Sequence, residues 1–173
     1  MTLIEKPLSG EAPDYYQDYI DEVKPNDLLK ALRDNRAYAI NTFKKLSADR
    51  HDYRYEEGKW TPKEIIQHLI DCERIFSYRA LRFARFDTTE LAGFEENEYV
   101  ENGNANQRTL DDLIEEYKAV REATVQLCQS LDENMLVLRG IANGKKISVR
   151  AIGFAIAGHE LHHLRVIRDR YFD

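Results

Sequence analysis

Five histidines occur in this chain of 173 residues, and three of them, His159, His162 and His163, fall within five positions of one another. Residues four apart on a helix differ by only about 40° around its axis, so His159 and His163 project side by side and can grip one ion. His68 lies far away in sequence, between Ile65 and Cys72 on what reads as the inward stripe of another helix. Ligands drawn from facing helices are how helical bundles build metal sites, and His68 supplies the third direction. Three imidazoles around a divalent ion leave at least one coordination position for water or substrate. That open position is where a water or a thiol becomes activated near neutral pH. A lone inward histidine is ordinarily a satisfied core residue. The pair on one apolar seam says more, because burying two imidazoles side by side is costly unless something satisfies their nitrogens. His162 sits about 60° off His159 and reads as a neighbour of the site.

The same letters admit rival chemistries. His159-Glu160-Leu161-His162-His163 matches H-E-x-x-H, the zinc-protease helix whose glutamate is a general base. The extended form of that motif needs a glycine and then a histidine where this chain has Val166 and Asp169, so the match reads as fortuitous. A di-metal carboxylate bundle calls for two Glu-x-x-His motifs, and only Glu160 to His163 supplies one. Cys72, one turn after His68, reads as a small core residue, the alternatives being a fourth ligand or a thiol near the metal. Arg74, Arg79, Arg82 and Arg85 crowd one helix and read as solvated charge on its outer face, the alternative being reception of an anionic substrate. The ten tyrosines and Trp60 read as packing residues, the alternative being the lining of a pocket.

The elements that must hold these residues are legible from their apolar spacing and their caps. Leu28, Leu29, Leu32, Tyr38, Ala39 and Phe43 predict a helix from Pro25 or Asn26 to about Leu46, with Asn26 as its cap. Thr61, Pro62 and Glu64 form a capping box that opens a second helix running to about Arg85. Thr109, followed by Asp111 and Asp112, opens a third that ends near Ser130. A fourth starts near Ser148 and carries Ile152, Ile156, His159, His163, Val166 and Arg170 on one seam. Residues 131–146 hold turn signals that suit a short turn-and-extended excursion, and they receive no regular element. Four such helices predict an all-α four-helix bundle over residues 25–173, preceded by an irregular lead-in over residues 1–24. The connection from Phe86 to Arg108 exceeds what a helical hairpin needs, so the second and third helices are expected to run parallel after a crossover.

Composition narrows the partners. The net charge of −6, from 31 acidic and 25 basic residues, offers no broad positive field for phosphate backbones or anionic lipid. Neither a membrane span nor a secretory leader can be read in the chain, and two cysteines without CxxC spacing read as reduced thiols. A cytoplasmic protein acting on a small molecule, with no nucleic-acid or membrane partner, is the expectation.

Two segments carry a family resemblance. Trp60-Thr61-Pro62-Lys63-Glu64-Ile65-Ile66-Gln67-His68-Leu69 resembles the W-[ST]-x-x-x-[ILV]-x-x-H-L segment of the DinB/YfiT-like superfamily, and Gly158 to Leu164 resembles its closing H-x-x-H-H segment. The resemblance spans about residues 25–173, and it implies a four-helix bundle with a long second crossover. It implies metal ligands at His68, His159 and His163, the trio already reached from spacing. It further implies a divalent ion such as zinc or nickel, a metal-dependent hydrolase or a transferase using a low-molecular-weight thiol, and a homodimer. The closing segment continues Leu164-Arg165-Val166, where some members have a Gly-Gln pair. The alternative is a non-catalytic binding or stress-response module with a structural metal or none.

Overall fold

The helices begin where side chains can satisfy their first free amides. The computed structural model describes residues 3–172 and contains, in chain order, α1 (Asp14–Glu22), α2 (Leu28–Lys44), α3 (Pro62–Ala84), α4 (Glu96–Asn102), α5 (Leu110–Gln129) and α6 (Glu133–Leu136). A hairpin of β1 (Arg139–Ala142) and β2 (Lys145–Ser148) follows, and then α7 (Val149–Tyr171). Thr61 and Glu64 form the reciprocal capping box of α3, at 3.1 and 2.7 Å. Thr109 caps α5 and Ser148 caps α7 by accepting from the Asp112 and Ala151 amides, without the reciprocal bond. The cap of α2 is Asp27, whose carboxylate accepts from the Leu29 amide, and not Asn26. The Asn26 side chain instead accepts from the Lys6 amide and ties the preceding strand of chain down.

The long helices α2, α3, α5 and α7 form the expected four-helix bundle. Helix α3 packs on α7 and α5, and α2 packs on the same two, so the helices consecutive in sequence, α2 and α3, occupy diagonal corners. Cross-helix pairs give the directions. Gln67 meets Arg108, Arg74 meets Glu116 and Ser77 meets Thr124, so α3 and α5 run parallel, as the length of their connection requires. That connection contains α4, which packs on α3.

Two stretches differ from the sequence reading. The lead-in is not wholly irregular, because Tyr16, Tyr19, Ile20 and Val23 share one helical face and α1 lays it against α7. The close approach needs Gly158, where a Cβ would overlap the Tyr19 carbonyl. Residues 131–146, expected to hold at most a turn-and-extended excursion, contain α6, capped by Asp132, and residues 139–148 form a true hairpin with Asn143 and Gly144 both at positive φ in its two-residue turn. Its strands are four residues long and weakly alternating, and they gain support from Leu91, which bonds to Ile141 and Asn143 at 2.9 Å. Tyr38, expected inside, is exposed.

The interior divides into two apolar clusters. One gathers around Phe76, Phe83, Phe154 and the hairpin, the other around Phe43, Ile66, Tyr117 and Ile167. Along α7, the histidine segment falls between Ala157 of the first and Leu164 of the second. A polar layer therefore crosses the bundle at this level.

Candidate metal centre

The capping box fixes where α3 begins, and His68 follows within its second turn. Antiparallel to it, α7 carries His159 and His163 on the facing stripe. The Nε2 atoms of His68 and His159 lie 3.1 Å apart, and those of His163 and His159 lie 3.0 Å apart. Three imidazoles from two distant stretches of chain thus point their nitrogens at one another.

Burial pushes the histidine pKa values down, for His68 to about 4 and for His159 to about 3, the latter also through its neighbours His68 and His162. Burial first, and then the same cluster, holds His163 well below the ordinary histidine value. All three rings are neutral near pH 7 and hold a lone pair, the form in which imidazole binds metals. The donor set fits a cation better than it fits a hydrogen-bonded cluster. A neutral ring nitrogen has one in-plane position, either a proton or a lone pair, so Nε2 of His159 can serve only one of its two neighbours. An ion held at about 2.1 Å by each nitrogen calls for separations of about 3 to 3.4 Å, which both pairs formed by His159 have.

Surrounding groups hold the rings in place. Trp60, immediately before the cap of α3, lies 4.7 Å from the His68 ring and stacks on His163 at 6.1 Å with an interplanar angle of 18°. Tyr19 of α1 meets His159 and His162 edge-on, both at 5.6 Å. Cys72 Sγ lies 3.6 Å from the His68 ring nitrogens, and His68, Cys72 and His159 together form a group compact enough to hold an ion. Burial raises the Cys72 thiol to about 12, so without a cation beside it the sulfur keeps its proton. His162 borders the site and takes a hydrogen bond from Arg165, whereas His51 lies elsewhere, against the Leu46 carbonyl.

Glu160 has a different task from the one its motif suggests. Its carboxylate accepts from both Nη atoms of Arg121, at 2.9 and 3.0 Å, and from the Tyr117 hydroxyl. Arg121, itself 1 % exposed, also holds Glu73 through two bonds at 2.8 and 2.9 Å and the Leu32 carbonyl at 3.1 Å. One guanidinium therefore joins α2, α3, α5 and α7 beneath the histidines. The position of Arg121 in the apolar stripe between Tyr117 and Thr124 is the sequence signal that marks it as buried.

The histidines open into a cleft of about 640 Å³. Its walls come from Tyr16 and Tyr19 of α1, Phe76 of α3, Phe94 of the crossover, and Asn143 and Lys145 of the hairpin. Arg79 also lines it, which corrects the outer-face reading, since Arg79 follows Phe76 by three residues and shares its inward face. Arg74 does belong outside, paired with Glu116 at 2.5 Å, and Arg82 pairs with Asp87.

The comparisons with known proteins agree with this architecture. Residues 10–167 match the family model described as the DinB superfamily. Among solved structures, the chain is similar to YfiT from Bacillus subtilis, described as a probable metal-dependent hydrolase with an unusual four-helix bundle topology. The TM-score is 0.75 and the identity 14 %, over 95 % of this chain and 90 % of that one. It is also similar to a DinB-like protein, YjoA, from Bacillus subtilis, with a TM-score of 0.60 and 21 % identity over 84 % of this chain and 92 % of that one. No curated protein sequence matches. The two structures support the fold, the family match covers nearly the whole bundle, and the chain belongs to the DinB superfamily.

Proposed function

We propose that the protein is a metal-dependent enzyme, a hydrolase or a thiol-dependent transferase, in which His68, His159 and His163 hold one divalent ion such as zinc or nickel. The observation that carries this reading is that the Nε2 atoms of His68 and His163 lie 3.1 and 3.0 Å from that of His159, at the foot of an open cleft. A divalent ion there, when bound, supplies Lewis-acid activation of a water or a thiol for attack on a small electrophile. The chain's own groups do the rest. Trp60 and Tyr19 restrain the imidazole planes, and Glu73, Arg121 and Glu160 fix the spacing of the helices that carry them. The aromatic walls exclude bulk water from whatever binds against them. The description of YfiT as a probable metal-dependent hydrolase points the same way.

Cytoplasmic residence and homodimer formation belong to the same proposal, the first in keeping with two buried free thiols and the second with the family resemblance. No helix among the described residues is long and apolar enough to cross a membrane.

A second reading has one observation in its favour. The proximity of Cys72 to His68 allows a fourth protein ligand, which would close the coordination sphere and make the metal structural in a non-catalytic module. Elemental analysis of protein purified without a histidine tag, alongside His68→Ala and His159→Ala, separates these outcomes. The proposal expects one ion per chain that both substitutions release, and undiminished metal in both would end it. Retention of metal in Cys72→Ala, with turnover of electrophile and thiol pairs, favours the enzyme.

A further inference from the structure

Arg79 is only 5 % exposed. It donates one hydrogen bond, to the Ala92 carbonyl at 2.8 Å, and its guanidinium carbon lies 5.6 Å from the Phe76 ring and 5.8 Å from the Phe94 ring. Among the described residues no carboxylate stands within ion-pair distance of it. The other deeply buried cations are matched, Arg121 by Glu73 and Glu160, and Lys63 by Asp52 at 2.8 Å. A buried guanidinium is costly without a partner, and a planar fork of N–H donors is suited to a carboxylate. Arg79 faces the cleft that ends at the histidines. Lys145, exposed on the hairpin and without an ion pair among the described residues, borders the same space. Glu96 also borders it, exposed and on the α4 side, beyond ion-pair distance of Arg79.

We infer that Arg79 is an anion-recognition residue of this cleft and takes the carboxylate of a small molecule with a flat apolar body, with Lys145 assisting from the rim. Phe76 sets the spacing, because the one ring stands 5.6 Å from the Arg79 guanidinium carbon and 6.3 Å from the His159 ring centroid. A carboxylate held by Arg79 therefore leaves the molecule's other end directed toward the imidazoles. The role of that other end rests on the proposed metal site, whereas the anion recognition does not.

The probe is benzoate against benzyl alcohol, titrated by ligand-detected NMR into the metal-loaded protein and into the same protein treated with chelator. Wild type is expected to prefer benzoate by about tenfold, in both forms. Arg79→Gln should bring the two affinities within about twofold of each other, and Arg79→Lys should retain part of the preference. Lys145→Met, at an exposed position that leaves the core intact, should lower the preference about threefold, and it decides the matter if Arg79→Gln does not fold. Equal affinities in wild type, or an unchanged ratio in the folded variants, would overturn the inference. A benzoate preference in a chain that holds no metal would sink the metal reading alone, and metal without preference would sink this one alone.

Discussion

The Glu160 carboxylate is bound by both Nη atoms of Arg121, and this turns it away from the histidines at 159 and 163 that flank it in sequence. A residue that a motif would nominate as a general base is instead a structural anchor. Arg121→Met should therefore leave two buried carboxylates unmatched and cost about 3–5 kcal/mol, measured by urea denaturation. Glu160→Gln should keep a bonded side chain and retain metal, whereas a zinc-protease role would make activity vanish with metal binding intact.

Helix α1 is held by the meeting of Gly158 with the Tyr19 backbone. Gly158→Val is expected to displace α1, remove Tyr19 from His159 and destabilise the protein by about 1–3 kcal/mol. Limited proteolysis should then cut near residues 14–22 in the variant and spare the wild type.

The chain has a single tryptophan, and it packs on two of the three imidazoles. Adding nickel to metal-free protein should quench Trp60 fluorescence and saturate at one equivalent. His163→Ala should abolish the stoichiometric quenching, and a gradual, unsaturating loss of signal in wild type would speak against the site.

Metal-free protein should lose stability in acid over a defined window. Burial holds the folded-state pKa of His68 at about 4, below the ordinary histidine value near 6.5, and lowers those of His159 and His163 as well. As pH falls below about 6.5 the unfolded chain takes up protons that the folded chain refuses, so stability is full above that value and declines toward pH 4. Denaturation midpoints across this range should show a slope that His68→Asn reduces, and a slope of opposite sign would contradict the assignment.

Much of this arrangement could be read from residue types alone. Thr61, Thr109 and Ser148 announce their helices because few other arrangements satisfy a first turn, and the four-residue step from His159 to His163 needs no tertiary information. The bringing together of His68 with that pair rests on helix α3 facing α7, for which the sequence gives only the apolar stripe. The position of Tyr19 carries no such signal. Its helix is short and contains four acidic residues, and its stability comes from packing on α7 at a glycine that sequence spacing cannot relate to it. Arg79 is hidden for a similar reason, since an arginine among arginines reads as solvated and only the crossover and hairpin that fold over it make it part of the cleft. The hairpin itself gains support from Leu91, 50 residues before its bonded partner Ile141 and recognisable only in three dimensions through its bonds to Ile141 and Asn143.

The most direct test is anomalous scattering from crystals of untagged protein, collected on either side of the absorption edge of the metal found by elemental analysis. The account predicts one peak among the Nε2 atoms of His68, His159 and His163, at about 2.0–2.3 Å from each. A peak bound elsewhere, or metal-replete crystals with no density between these three rings, would contradict it.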